Sequence, residues 1–272
     1  MTLRILAAAI LGLLCLAALF AGLLTPYSYD LQDREAPSLA PSRTHPLGTD
    51  ELGRDLFSRL LHGARISLLL APAAAILSLL IAVVMGIAAG ASGGVVEQIL
   101  SSAADLFSSM PWLFLLLIVR AVLPLNVPAW TSVAITFLLL GLLGWPAAMR
   151  VVRASAKTAK REGFLLQARA MGISGPRLWL RQFLPTLRPV LLAQFWISVP
   201  IYILSEANLG ILGLGVSEPI PSWGNLLYDL AGHRDVLDAP WRLAPAVCLV
   251  AALLSMQGLT HSNISTRRPS PL

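Results

Sequence analysis

Four histidines (His45, His62, His233 and His261) and two cysteines (Cys15 and Cys248) are this chain's soft metal ligands and its strongest candidates for acid–base or nucleophilic work. Their spacing favours neither. No H-E-x-x-H, C-x-x-C or G-x-S-x-G occurs, and the cysteines sit in apolar runs where they read as inert thiols. A phosphate-cradling G-x-x-x-x-G-K-[ST] loop is also missing, because Lys157 and Lys160, the two lysines, each follow an alanine. An intramembrane enzyme would need a base at membrane depth, and all four histidines fall outside the long apolar runs. If nucleotide energy drives this chain, another polypeptide must supply it.

The residues that remain informative are charges. Between Arg150 and Arg188 stand nine basic residues and one acid, Glu162, whereas the rest of the chain nearly balances at eleven basic and thirteen acidic. Basic charge gathered beside apolar spans is a topology signal before it is a nucleic-acid signal, and it places this segment in the cytoplasm. Attraction to anionic headgroups is a secondary consequence. Two charges fall inside or at the end of apolar runs. Arg120 either snorkels to an interface or faces a pathway, and Glu206 is either an interfacial carboxylate or part of an outer gate.

These charges must be held by membrane elements. The 272 residues are 56% hydrophobic and 12% charged, with mean hydropathy +0.74, where a soluble domain carries about 25% charged residues. Apolar stretches lie near 3–24, 66–91, 106–125, 128–149, 189–207 and 243–260. A hydrocarbon core of about 30 Å takes about 20 helical residues, so the sequence predicts an all-α polytopic membrane protein with six transmembrane helices. β-Barrel alternation is absent. The first stretch is longer than a signal-peptide core and lacks an A-x-A site, so it reads as an uncleaved span. Six spans with 150–188 inside put both termini in the cytoplasm and leave 25–65 and 208–242 outside. Segment 25–65, with five basic and six acidic residues, lacks the inside bias.

Smaller features follow. Thr49 or Asp50 is expected to cap a short interfacial helix with Leu52, Leu56, Leu60 and Leu61 on one side and Arg54, Asp55 and Arg59 on the other. Gly86, Gly90, Gly93 and Gly94 predict close helix–helix approach. His45 reads as structural. Trp223 and Trp241 bracket an outer loop and suit an aromatic belt at the membrane surface. Within 150–188, Arg153, Lys157, Lys160 and Arg161 recur at helical spacing. Gly172 suits the left-handed end of a helix, Ser174 the cap of a second one, and Pro185 its stop before the fifth span.

The loop resembles the cytoplasmic signature of ABC importer permeases, E-A-A-x-x-x-G followed by I-x-L-P. Gly172, Leu184 and Pro185 are in register, and Ala168 matches the last of the E-A-A positions. Gln182 stands where the family prefers Ile. The run from His45 to Asp55 (H-P-L-G-T-D-E-L-G-R-D), Ser58-Arg59 and Gly63 to Ser67 resemble the peptide/nickel branch of these permeases. So do Glu206 to Gly215 (E-A-N-L-G-I-L-G-L-G) and Pro221-Ser222-Trp223-Gly224. The similarity is to the second of the two permease subunits and covers about residues 40–255. It departs after the sixth span, where only Gly258 and Leu259 match the usual G-D-G-L-R-D-like segment.

The resemblance implies a domain layout of 1–65 (first span, outer loop and interfacial helix), 66–260 (permease domain with coupling loop 150–188) and 261–272 (tail). It implies that a coupling helix at about 175–183 fits a groove on an ATPase subunit. Ala168, Gly172, Ser174, Arg177, Leu178, Trp179, Arg181, Phe183, Leu184 and Pro185 would form that loop, with Leu178, Trp179 and Phe183 as apolar knobs. Glu206, Trp223 and Arg120 would belong to the outer gate, or to the surface that meets an extracytoplasmic binding protein. Expected partners are a second permease, two ATPases carrying ATP and Mg, the binding protein and the lipid bilayer. No cofactor, metal or nucleic acid is expected on this chain. The implied role is a non-enzymatic permease of the bacterial inner membrane carrying di- or oligopeptides. Nickel or a metal chelate is the alternative cargo, and an autonomous secondary transporter the more distant alternative.

Overall fold

The computed structural model describes residues 2–122, 127–161, 170–172, 178–232 and 239–265. Among them every regular element is helical. Helix α1 is Thr2–Leu19, α2 Ala21–Leu24, α3 Leu56–Ser92, α4 Gly94–Ser109, α5 Trp112–Val122, α6 Ala129–Leu143 and α7 Trp145–Arg161. A π-helical turn, Trp179–Phe183, runs directly into α8, Leu184–Ile211. Helix α9 is Trp223–Gly232, and a 3₁₀ turn at Pro240–Leu243 precedes α10, Ala244–Ser265.

Among the described residues, four stretches are long and apolar enough to cross a membrane: Leu56–Ser92, Ala129–Lys160, Leu180–Ile211 and Pro240–Thr260. The first and third expected spans are shorter than their apolar runs. The first breaks at Phe20, which separates α1 from α2. The third is cut by Pro111, which forces the preceding Met110 into an extended conformation (φ −79°, ψ 131°) and ends α4. The 11 residues of α5 rise only about 17 Å. Large apolar side chains face outward along the long helices, Leu80, Val84 and Leu254 among them, as helices solvated by lipid tails require.

The chain divides into two compact units. The first comprises Met1–Ala71, Val119–Phe137 and Pro200–Leu272. In it α1 lies along α10, and α9 also packs on α10. The outer-loop helix expected from residue 49 or 50 begins instead at Leu56 and is continuous with the second span. Asp55 caps it: Oδ2 accepts from the Ser58 N–H and from Ser58 Oγ, each at 2.7 Å. Thr49 instead staples the loop, donating from Oγ1 to the Ala36 carbonyl at 2.6 Å. His45 is structural, with Nδ1 2.9 Å from Asp55 Oδ1 and its ring stacked on Tyr27.

The second unit comprises Pro72–Ile118 and Leu138–Val199. The glycines of the second span divide their labour. A Cβ on Gly86 would stand 2.7 Å from Val152 Cβ, and one on Gly90 2.5 Å from Ala156 Cβ, so these two let α3 and α7 touch. Gly93 and Gly94, at φ 69° and 54°, have open space around them and end α3 instead. Helix α4 also packs on α7, burying Ala104 with Trp145, Ala148 and Met149.

Candidate functional site

The basic face of α7 is real and is answered by α4. Lys157 Nζ lies 2.6 Å from Glu97 Oε1, and Arg150 Nη2 2.9 Å from Asp105 Oδ1. Arg153 reaches Ser101 Oγ, and Lys160 donates to the Ala91 carbonyl at 2.8 Å. The Lys157 hydrogen bond holds the Glu97 carboxyl below its ordinary range, reinforced by Arg153 and Lys160. Two rungs link α4 to α7, Arg153 adds a third contact, and the whole set lies near or at the surface.

Of the coupling-loop residues, Ala168, Ser174 and Arg177 lie outside the described residues. Gly172 adopts φ +82°, the left-handed conformation its position predicted, with nothing among the described residues near its missing Cβ. Leu178 and Phe183 correct the expectation of projecting knobs. Both are fully buried, packed with Val152, Ala156 and Ala159 of α7 and Leu187 of α8. They anchor the segment to its own unit. Backbone phase explains the error: in the π-helical turn carrying Trp179, the outward side chains are Leu180, 62% exposed, and Arg181. Pro185 also departs from expectation. It sits two residues after the π-helical turn within a continuous helical path, where the widened turn accommodates the ring and the missing N–H, so the helix does not stop there. Leu184 is half-buried beside it.

The first unit holds the more enclosed polar site. Arg59, expected on a solvated helix face, is 0% exposed. Its Nη2 lies 2.8 Å from Glu218 Oε1 and 3.7 Å from Asp229 Oδ2, and its Nε lies 3.7 Å from Asp50 Oδ2. Arg54, also buried, pairs with Asp50 Oδ2 and with Glu218 Oε2, both at 2.6 Å. Burial pushes the Glu218 carboxyl up, but the guanidinium groups of Arg59 and Arg54 together outweigh it and hold the group below its ordinary range. Asp229 is more distant from Arg59, so burial prevails and raises it. The sequence carried no signal for this pairing, because Glu218 lies more than 150 residues from both arginines.

Deeper in the same unit, Glu206 is fully buried on α8. Its Oε2 accepts from Ser67 Oγ of α3 at 3.1 Å, and Ser67 Oγ accepts from the Trp223 N–H at 3.3 Å. Trp223 opens α9 and is itself 0% exposed, which overturns its assignment to an aromatic belt and leaves no indole surface for a partner. Its neighbour Gly224 lies so close to α8 that a Cβ on Gly210 would stand 2.3 Å from the Gly224 Cα. Asn225 donates from Nδ2 to the Val216 carbonyl at 2.6 Å, and the Ser217 hydroxyl meets Ser132 of α6 at 2.8 Å. Residues 215–226 are thereby fastened to α3, α6 and α8. Arg120 lies in α5, and its side chain is outside the described residues. No group of three or more metal-ligating side chains occurs among the described residues.

Long apolar helices with lipid-facing surfaces, one basic helix face and a buried polar seat beneath a tight loop define a multi-pass membrane protein. The family model described as "Binding-protein-dependent transport system inner membrane component" matches residues 82–261, and that for the "N-terminal TM domain of oligopeptide transport permease C" matches residues 2–41. The chain belongs to the family of binding-protein-dependent transport system inner membrane components. It is 33% identical over 234 residues to the oligopeptide transport system permease protein OppC of Bacillus subtilis, covering 86% of this chain and 74% of that protein. Identity is 32% over 247 residues to the OppC protein of Escherichia coli, covering 90% and 79%. To the dipeptide transport system permease protein DppC of Bacillus subtilis it is 32% over 232 residues, covering 85% and 70%.

Proposed function

We propose that this chain is one permease subunit of an ATP-driven peptide importer of the bacterial inner membrane, with both termini and the 150–188 segment in the cytoplasm. The observation that carries this reading is its similarity to permeases named for oligopeptide and dipeptide transport along 85–90% of its length. Those names favour peptides over nickel. A second permease completes the pore, two ATPase subunits hold ATP and Mg, and an extracytoplasmic binding protein delivers cargo. The chain itself contributes movement and no bond chemistry.

The described geometry supports a lever at the inner face. Leu178 and Phe183 root the segment in α7 and α8, and Leu180 and Arg181 face outward, free to meet an ATPase surface. Closure of the ATPases would push this rooted segment, and α8 would carry the displacement along its 28 residues. Co-expression with a second permease, two ATPases and a binding protein of the same transport system, followed by reconstitution in vesicles, tests the reading. Uptake of Ala-Ala-Ala should require ATP and all partners. Gly172→Val forces a β-branched residue into φ +82° and should lower uptake per ATP hydrolysed. Uptake by this polypeptide alone would reject the proposal.

A further inference from the structure

Glu206 has an unusual position for a carboxyl group. It is fully buried within an apolar span, and no basic side chain reaches it among the described residues. What surrounds it is the start of another helix. Ser222 and the Gly224 backbone face the carboxyl, and Ser67 hydrogen-bonds Oε2, whereas Oε1 has no hydrogen bond of normal geometry. The Ser222 hydroxyl accepts from the Asn225 N–H at 3.2 Å, so it caps α9 at the same point. The contact surface is stripped of side chains: Gly210 meets Gly224, and a Cβ on Gly63 would stand 3.2 Å from the Ser222 carbonyl carbon. The Gly224 backbone in the first turn of α9 faces a buried acid, and the small residues around it permit that close approach.

We propose that Glu206 is a positioning residue that seats the first turn of α9 on α3 and α8, holding residues 215–226 in the conformation the binding protein recognises. The inference rests on the importer reading for its partner, but not for its structural half. Docking of a soluble protein on the outer loops requires those loops to be preorganised, and a loop that must be ordered on contact binds more weakly. With Glu206 in place, α9 and the outer end of α8 form one body. Without it, the glycine contacts and the long Trp223 N–H to Ser67 hydrogen bond remain, but Ser67 loses the acceptor that orients it and the first turn of α9 loses the carboxyl it faces.

The test uses the assembled transporter in lipid nanodiscs, with Glu206→Ala, Glu206→Gln and Ser67→Ala variants. Hydrogen exchange of the Trp223–Leu226 amides should accelerate about tenfold in Glu206→Ala, with α1 and α10 unchanged. Glu206→Gln, which retains a carbonyl acceptor for Ser67, should restore most of the protection, and Ser67→Ala should fall between. Titration with the binding protein loaded with Ala-Ala-Ala should show the half-saturating concentration for ATPase stimulation raised about tenfold in Glu206→Ala, while the maximal stimulated rate falls less than threefold. Unchanged exchange at 223–226 in Glu206→Ala would overturn the proposal. So would faster exchange throughout the chain, or a loss of maximal rate with half-saturation unaltered. If the unmodified transporter shows no stimulation by the binding protein, the importer reading fails instead, and the exchange data alone decide whether Glu206 seats α9.

Discussion

The Arg59–Glu218 pair and the Lys157–Glu97 pair have almost the same length, 2.8 and 2.6 Å, and quite different surroundings. Arg59 is completely enclosed and sees three carboxylates, whereas the Lys157 side chain is 48% exposed on α7. Distance therefore says little about what each pair contributes. An enclosed charge has been stripped of water and depends on its partners, so removing one leaves an uncompensated ion. An exposed pair exchanges one solvated state for another. The first cluster fixes one arrangement of the outer loop, and the second dresses a helix face that apolar contacts already hold.

The sharpest test of that contrast is Arg59→Met. It leaves Glu218 and Asp50 to share Arg54 alone and should cost about 3 kcal/mol, read as a fall in the melting temperature of the detergent-solubilised protein. A loss no larger than that of Lys157→Ala would break the comparison. Phe183→Ala probes how the second unit is held without charge. Emptying a fully buried aromatic site should cost about 3 kcal/mol, more than any change to the ion pairs of α4 and α7.

Acid should separate the clusters next. Glu218 is held below its ordinary range, so its stabilisation is complete above the unfolded-state value and disappears as pH falls through the lower folded-state value. Glu218→Gln should therefore destabilise the protein at neutral pH, and the deficit should close below about pH 4. A deficit independent of pH would mean that shape, not charge, matters at this position. The smallest effects belong to Lys157→Ala. It should shift the melting temperature by less than about 2 °C, and about 1 M salt, with a Debye length near 3 Å, should erase even that while sparing the Arg59 cluster.

Sequence patterns revealed the parts of this molecule governed by the membrane. Long apolar runs need no partner to be read, and the glycine series announced a close helix contact, which Gly86 and Gly90 make with α7 while Gly93 and Gly94 do not. The PLGTDELGRD and EANLGILGLG segments led to the right family before any fold was known. What stayed hidden depended on burial by distant residues. Leu178 and Phe183 look the same in sequence whether they meet a partner or their own helices. Arg54 follows Asp50 by four residues and Arg59 follows Asp55 by four, which suggested a helix face, yet their decisive partner, Glu218, is 159 residues beyond Arg59. Trp223 misled for a related reason: an indole in a Pro- and Gly-rich loop usually marks an interface, but here the loop folds back over it.

The π-helical turn at Trp179–Phe183 carries one further consequence. A wide turn accommodates one residue more than an α-helix, which resets the angular phase of everything upstream by about 100°. Deleting a single residue within it would rotate Leu178 out of its buried position. A chain shortened there by one position would lose its grip on α7 although every remaining amino acid was unchanged, and a cysteine at position 178 would become open to thiol reagents.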